Sequence, residues 1–199
     1  MSTHEYLNLL STYKQKKVFR TVDFATLLHR NTATVRVELS RLVAQGMLDR
    51  VIKGFYLNPY NLPTQEELAM VLRSPAYVSM ESALARQGVL SQSPFTLTLV
   101  TTAATGTIMA QATRFEYHHV QPSWFTGYSQ MDDCSMAEPE KALCDLVYLR
   151  YSKRRELSEE RMRSLLDDMD LTMLHKTPLR RYARLMHLEH SFRALQMSL

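Results

Sequence analysis

The segment from Thr32 to Gly46 constrains the fold of this 199-residue chain more than any other. Its apolar residues recur three and four positions apart, the spacing of one face of an α-helix. They are Val35, Leu39, Leu42 and Val43. Glycine commonly follows a last helical turn because it adopts positive φ without a steric cost. The pattern predicts an amphipathic helix with its N-cap at Thr32 and its end at Gly46.

Two shorter helices are predicted before this one. A short extended piece, Val18–Arg20, separates them, and Thr21 is the expected N-cap of the second helix. The inward-facing residues are Tyr6, Leu7 and Leu10 in the first helix and Phe24, Leu27 and Leu28 in the second. After Gly46, two short strands reverse around Lys53 and Gly54, which predicts a β-hairpin.

Three helices followed by a hairpin are the layout of a winged helix-turn-helix, in which the third helix reads the major groove and the hairpin is the wing. Asn58, Pro59, Asn61 and Pro63 interrupt the periodicity near residue 60. We therefore predict a winged helix-turn-helix DNA-binding domain in residues 1–60 and a second domain in residues 61–199.

The distribution of charge agrees with a nucleic-acid partner for the front of the chain. Residues 1 to 60 carry nine Lys or Arg against four Asp or Glu, whereas residues 61 to 150 carry five against nine and residues 151 to 199 ten against seven. A basic front joined to an acidic middle suggests a module that faces a polyanion.

The outward face of the third helix is short and nearly free of acid, since Glu38 falls on a flank. Small and apolar side chains there can meet thymine methyl groups, hydroxyls can bond bases or phosphates, and guanidinium groups can bind guanine with two hydrogen bonds. The predicted contacts are Ala33, Thr34, Arg36, Val37, Ser40 and Arg41.

Further predicted contacts are to the phosphate backbone, where they position the protein without reading sequence. They comprise Arg50, Lys53 and Gly54 in the wing, together with Lys16, Lys17 and Arg20. For any single lysine a solvated surface is the stronger interpretation, and a winged helix can also serve protein contacts alone.

The second half is predicted to be mixed α/β with a helical end, so the whole chain is α+β. A helix capped at Ser79 and ended by Gly88 precedes two half-buried strands, in FTLTLV with Phe95 inward and in TRFEYHHV. Another helix starts at Pro139, and apolar stripes predict further helices after Ser158 and Pro178.

Catalytic and metal sites are not indicated by the sequence, and we expect a non-enzyme without cofactor or metal. The run Glu138–Lys141 lies at a helix start, and a capping role is favoured over a nuclease site because Pro139 breaks the acid-x-lysine spacing. His118 and His119 point to opposite faces of a strand and cannot both ligate one ion, and His119 is expected in the core.

A cluster of arginines lies on the predicted last helix. Its members, Arg180, Arg181 and Arg184, face away from the apolar stripe. They are candidate contacts for a partner or a nucleic-acid backbone, and a solvated outer face is an equal alternative.

Several segments, in this order, resemble the AbiEi family of antitoxins from bacterial abortive-infection toxin–antitoxin pairs. The resemblance runs from about Val18 to Tyr151, and SMESAL and AEPEKALCDL are its most specific parts. The segments are KGFYLNP, YVSMESALARQGVL, TLVTT, RFEYHHVQPSWFTGY and MAEPEKALCDLVYL.

The resemblance implies a protein with two tasks. Residues 1–60 would bind inverted repeats in the protein's own promoter, as two copies on double-stranded DNA, and repress the operon. Residues 61–199 would counteract an AbiEii-type nucleotidyltransferase toxin in a type IV system, in which direct toxin binding is not implied. The implied reader positions are Thr32, Thr34, Arg36, Val37, Ser40 and Arg41.

Two alternatives remain open. One is a winged-helix regulator whose second domain senses a small ligand and which has no toxin partner. The other is an enzyme targeted to nucleic acid, which is the weakest because no convergent acid, base and nucleophile emerge. The polar N-terminal segment and the lack of a long apolar run predict a cytoplasmic protein with no membrane contact.

Overall fold

A computed structural model describes residues 3–131, 134–153 and 158–195 of the chain. They form an α+β protein that divides into two compact units, unit 1 (Met1–Leu72) and unit 2 (Arg73–Leu199). The division lies downstream of the boundary predicted near residue 60, because one more helix packs with the N-terminal elements.

Unit 1 contains four helices and a three-stranded antiparallel sheet in the order β1-β3-β2 among the described residues. The elements are α1 (Thr3–Thr12), β1 (Val18–Arg20), α2 (Thr21–Leu27), α3 (Thr32–Ala44), β2 (Arg50–Ile52), β3 (Phe55–Leu57) and α4 (Gln65–Leu72). The hairpin that was predicted around Lys53 and Gly54 is therefore present, and the extended piece before α2 adds a third strand. An ion pair from Lys17 to Glu67 ties α4 to the segment before β1.

The predicted apolar face of α3 is confirmed, because Val35, Leu39 and Leu42 are buried and Val43 is partly buried against the same core. Phe24 stacks on Phe19 with ring centroids 5.0 Å apart. In α1 the inward stripe is Tyr6, Leu9 and Leu10, and the predicted Leu7 lies at its edge. The fully buried Asn58 closes α1, since its Nδ2 donates to the backbone oxygens of Leu10, Tyr13 and Lys16 at 3.1, 3.2 and 3.0 Å.

Both predicted N-caps in unit 1 are wrong by one residue, because Thr21 and Thr32 are the first helical residues. The N-cap of α3 is Asn31, whose Oδ1 accepts a 2.7 Å hydrogen bond from the backbone N–H of Ala33. At α2 the Arg20 backbone N–H donates to the Asp23 carboxylate at 2.7 Å. The end of α3 is as predicted, with Gly46 at φ +68°.

Unit 2 is built on a six-stranded mixed sheet in the order β6-β7-β5-β4-β9-β8. Its strands are β4 (Ala76–Val78), β5 (Thr96–Thr101), β6 (Gly106–Ala110), β7 (Thr113–His119), β8 (Tyr128–Met131) and β9 (Cys134–Ala137). Its helices are α5 (Met80–Arg86), α6 (Pro139–Leu146), α7 (Glu159–Asp167), α8 (Lys176–Leu185) and α9 (Glu189–Ala194). A π-helical segment, Val147–Lys153, continues α6, and short 3-10 turns occupy Pro122–Trp124 and Leu171–Met173.

Two strand expectations in unit 2 are wrong. β5 is buried on both faces from Thr98 onward, and Phe95 lies fully exposed before it begins. The strand occupies the middle of the sheet, where alternation of polar and apolar residues no longer reports one solvated face. In β7 the buried histidine is His118, whereas His119 is partly exposed. The face that carries His118 is covered, since Arg150 of the π-helical segment bonds its neighbour Glu116 at 3.3 Å.

The helices that were predicted after Ser79, Ser158 and Pro139 are present, with Ser79 as N-cap of α5 and Pro139 as first residue of α6. The predicted stripe of α8, namely Leu179, Tyr182, Ala183 and Met186, is buried. Among the described residues no helix has the length and apolar character needed to cross a membrane.

Candidate nucleic-acid interface

The outward face of α3 is open to solvent. Val37 is 52% exposed, and it lies on the side of the helix opposite to three buried apolar residues. The other predicted readers on this face, Ala33, Thr34, Arg36, Ser40 and Arg41, are exposed as well. Thr32 is half-buried in the first turn. The helix therefore presents methyl groups, hydroxyls and two guanidinium groups on one surface.

The hairpin turn is held against the start of α2. The backbone N–H of Thr21 donates to the carbonyl oxygen of Gly54 at 3.0 Å. Gly54 has φ +87°, a left-handed conformation that favours glycine, and an added Cβ would meet nothing closer than 3.8 Å. Lys53 is exposed in the turn, and Arg50 is exposed at the start of β2, the strand that leads into it. The hairpin thus carries two exposed cations and an unobstructed turn.

The three cations predicted before α2 are engaged within unit 1. Lys16 Nζ lies 3.1 Å from Asp23, and Arg20 reaches the same carboxylate at 3.4 Å. Burial acts to raise the pKa of Asp23, but the hydrogen bond from the Arg20 backbone N–H, followed by the contact with Lys16, holds that pKa below its usual value. Lys17 pairs with Glu67, so all three cations already have carboxylate partners.

The single carboxylate of α3, Glu38, is also engaged. It accepts a hydrogen bond from the Tyr6 hydroxyl and lies 3.3 Å from Arg30. Burial, followed by the bond to Glu38, raises the pKa of Tyr6. Glu38 therefore lies between α1 and the α2–α3 turn rather than on the outward face.

By contrast, four predicted contacts have no hydrogen bond or ion pair through their side chains to any residue that the structure describes. They are Arg36, Arg41, Arg50 and Lys53. Ser40 differs, because its hydroxyl donates to the Arg36 backbone oxygen at 2.8 Å and its proton is used within the helix. The acids of α3 and of the α2 start are neutralised internally, whereas the side chains of the cations on α3 and the hairpin have no such partner among the described residues.

In unit 2 the run Glu138–Lys141 lies at a helix start, as expected, with Glu138 at the N-cap of α6 and Glu140 in the first turn. Glu138 makes no side-chain cap bond, however, and the side chains of the run reach other elements. Glu140 accepts a 2.7 Å hydrogen bond from the backbone N–H of His175, which precedes α8. Glu138 accepts one of 2.8 Å from the Tyr182 hydroxyl. Together with a hydrogen bond from Lys141 to Tyr77, these two bonds hold α6 against the rest of unit 2.

Lys141 and Asp145 form a fully buried ion pair on α6. The Asp145 carboxylate also accepts hydrogen bonds from the Tyr77 hydroxyl at 3.0 Å and the Ser79 hydroxyl at 2.8 Å. Lys141 Nζ donates to the Tyr77 oxygen at 2.9 Å. Burial and the neighbouring Asp145 raise the pKa of Tyr77 well above its ordinary value. These groups are closed to solvent and bonded to one another, which suits a structural network rather than a substrate site.

Sequence reasoning did not find this network, nor a second one in which Arg150 joins Glu81 at 3.1 Å and Glu116 at 3.3 Å. No group of three His, Cys, Asp or Glu among residues 3–131, 134–153 and 158–195 is arranged to hold a metal ion.

The arginines of α8 are exposed, as predicted, but they are not equivalent. Arg181 stacks on the Tyr182 ring at 4.6 Å and lies 3.8 Å from Glu138. Arg180 and Arg184 lie four residues apart on the exposed side of the helix. The structure does not gather the three into one unpaired cationic site.

Comparisons with known proteins add no relative: no protein-family model matches the chain, and a search of curated proteins gave no match.

Proposed function

We propose that unit 1 is a winged helix-turn-helix domain that binds double-stranded DNA in a sequence-specific manner. The element order α1-β1-α2-α3-β2-β3, with the hairpin paired to β1, supports this proposal. In such a domain α3 enters the major groove and the β2–β3 hairpin flanks it as the wing.

The observation that carries the proposal is that the outward face of α3 is exposed and its cations have no partner among the described residues. Val37 is exposed, and Arg41 has no partner among the described residues. An exposed valine can contact a thymine methyl group, and an unpaired guanidinium can bind the O6 and N7 atoms of guanine. The lack of a free carboxylate on this face removes the repulsion that would oppose approach to phosphates.

We further propose that the protein is a repressor and antitoxin of the AbiEi type, which counteracts a nucleotidyltransferase toxin without the need for a stable complex. The two most specific segments of the resemblance support this, because they meet in the core of unit 2. Ser79, from SMESAL, donates to Asp145, from AEPEKALCDL, at 2.8 Å. The same residues that carry the resemblance thus build the fold of unit 2.

One helix and one wing cover one half-site, so recognition of inverted repeats requires two copies on the DNA.

The first experiment selects duplexes from a random pool with the full chain and measures affinity for the selected duplex. Arg41→Gln is expected to weaken binding by roughly 5- to 150-fold, the value of one good bidentate base contact. Arg161→Gln, at an exposed arginine of α7, is the matched control and should leave affinity unchanged.

The DNA-binding proposal would be overturned if the wild-type chain selected no sequence, or if its affinity for DNA did not change with salt concentration.

The antitoxin proposal has a separate assay, in which the chain is co-expressed with an AbiEii-type nucleotidyltransferase and growth is followed. Rescue by both wild type and Arg41→Gln is expected, because neutralisation is assigned to unit 2. If the wild-type chain gives no rescue, the antitoxin assignment is wrong, whatever the DNA result.

A further inference from the structure

Glu38 and Arg41 lie three residues apart on α3, a spacing at which opposite charges on a helix meet and pair. The acid precedes the base, the more favourable order along a helix. Nevertheless, Arg41 has no ion pair with any residue in the described part of the chain. The reason lies in the other partners of Glu38.

The Glu38 carboxylate is held on its other side by two groups. The Tyr6 hydroxyl of α1 donates to it, and Arg30 Nη1 lies 3.3 Å away. Arg30 is itself fixed, since its Nη2 contacts both carboxylate oxygens of Glu5 at 2.9 and 3.0 Å. Arg30 thus links α1 to α3 from the turn that precedes Asn31, the N-cap of α3.

We infer that Arg30 is a positioning residue for DNA binding, which keeps Arg41 available by occupying Glu38. The inference rests on the proposed DNA-binding function and assigns Arg30 no contact with DNA. In its absence Glu38 still has Arg41 three residues further along the same helix, at a spacing that allows the two to pair. Pairing with Glu38 would draw the guanidinium from the outward face and occupy the donors that a base or phosphate needs.

The experiment is a set of double-mutant cycles in the full chain, with affinity for the selected duplex as the readout. Arg30→Gln is expected to weaken binding by about two- to threefold, because a competing pair of this spacing can hold back only part of the Arg41 population. Arg41→Gln loses the contact itself, so its loss should be larger. Arg30→Gln combined with Glu38→Gln should return to wild-type affinity, because no acid remains to capture Arg41. In an Arg41→Gln background, Arg30→Gln should have no further effect.

A purely structural role for Arg30 gives a different pattern. If Arg30→Gln weakens binding equally in the wild-type, Glu38→Gln and Arg41→Gln backgrounds, then Arg30 touches DNA or acts through the fold, and the inference is overturned. Arg30→Lys retains a cation beside Glu38 and should restore most of the affinity. Thermal unfolding of each variant by circular dichroism shows which variants remain folded at the assay temperature.

A second measurement does not depend on DNA. The Nε–Hε resonance of the Arg41 side chain, observed by NMR in the free protein, should shift in Arg30→Gln and return in the double variant with Glu38→Gln. An unchanged resonance in folded Arg30→Gln would refute the inference even if DNA binding is established. Conversely, a wild-type chain that selects no sequence refutes the proposed function, while the resonance still decides whether Arg30 controls the pairing of Arg41.

Discussion

Removal of one partner of the buried Lys141–Asp145 pair should destabilise unit 2 strongly. Both side chains are fully buried, and Lys141→Met would leave an ionised Asp145 with only the Tyr77 and Ser79 hydroxyls as donors. An uncompensated buried charge costs about 3–5 kcal/mol, which is much of the 5–15 kcal/mol typical of a whole domain. Asp145→Asn should cost a similar amount, because it strands the buried ammonium group.

The double variant Lys141→Met/Asp145→Asn is expected to be more stable than either single variant. No charge remains, and the amide oxygen of the new asparagine can still accept from Tyr77 and Ser79, so the loss should be about 1–2 kcal/mol. Urea unfolding can be followed through Trp124, the only tryptophan, which lies in unit 2 and is buried. Lys176→Met, at an exposed lysine of α8, is the control and should change stability by less than about 0.5 kcal/mol. Additive losses of about 6–10 kcal/mol in the double variant would refute the charge-compensation argument.

Three further outcomes can be checked by equilibrium unfolding. Gly127→Ala should lower the free energy of unfolding by about 2–4 kcal/mol, since Gly127 has φ +73° and the added Cβ would lie 2.7 Å from the Tyr182 ring. Gly88→Ala is the matched comparison, because Gly88 has φ +79° but an added Cβ would lie 3.7 Å from its nearest neighbour, so the loss should be only about 1 kcal/mol. Equal losses in the two variants would contradict this. Burial, then the bond to Glu138, raises the pKa of Tyr182 to about 12, so the free energy of unfolding should fall as pH rises from 10 to 12, and Tyr182→Phe should make that fall shallower. Asn31→Ala should destabilise unit 1 by about 1 kcal/mol through loss of the α3 cap, and a neutral result would mean that the cap bond contributes nothing.

The helical face of α3 was predictable because its period is sustained over a full amphipathic helix. Val35, Leu39 and Leu42 repeat at helical spacing, and Gly46 marks the end by its conformational freedom. The exposure of Val37 follows from the same projection, since a residue two positions from Val35 points to the other side. Local periodicity therefore placed most of the candidate interface.

The errors arise where local signals are degenerate. Asn31 and Thr32 are both good capping residues in adjacent positions, and only the backbone conformation decides between them. Alternation in FTLTLV indicates a half-buried strand, yet β5 lies in the middle of a sheet and is buried on both faces from Thr98.

The distant partners of buried charged groups were not accessible from the sequence. Asp145 has its hydroxyl partners 66 and 68 residues away, so no window of sequence shows them together. The run around Lys141 was predicted only to cap its own helix for the same reason. A hydropathy pattern assigns a charged residue to the surface, and only the fold reveals a partner that makes burial tolerable.

The expected salt dependence of DNA binding depends on how many basic residues lack an ion pair within the protein, and not on the total number of basic residues. Seven predicted contacts in unit 1 are basic, and if each neutralised a phosphate, the slope of log affinity against log salt would be about −6.3 per protomer. Lys16, Lys17 and Arg20 are paired with Asp23 and Glu67, which leaves four predicted contacts without an ion pair in the described part of the chain and a slope of about −3.6. A measured slope near the larger value would mean that DNA breaks those pairs on binding. Asp23→Asn would then leave the slope unchanged, because DNA already releases Lys16 and Arg20 from Asp23 in the wild-type complex. With the pairs intact, Asp23→Asn should steepen the slope by about 1.8, as two more cations become free to neutralise phosphates.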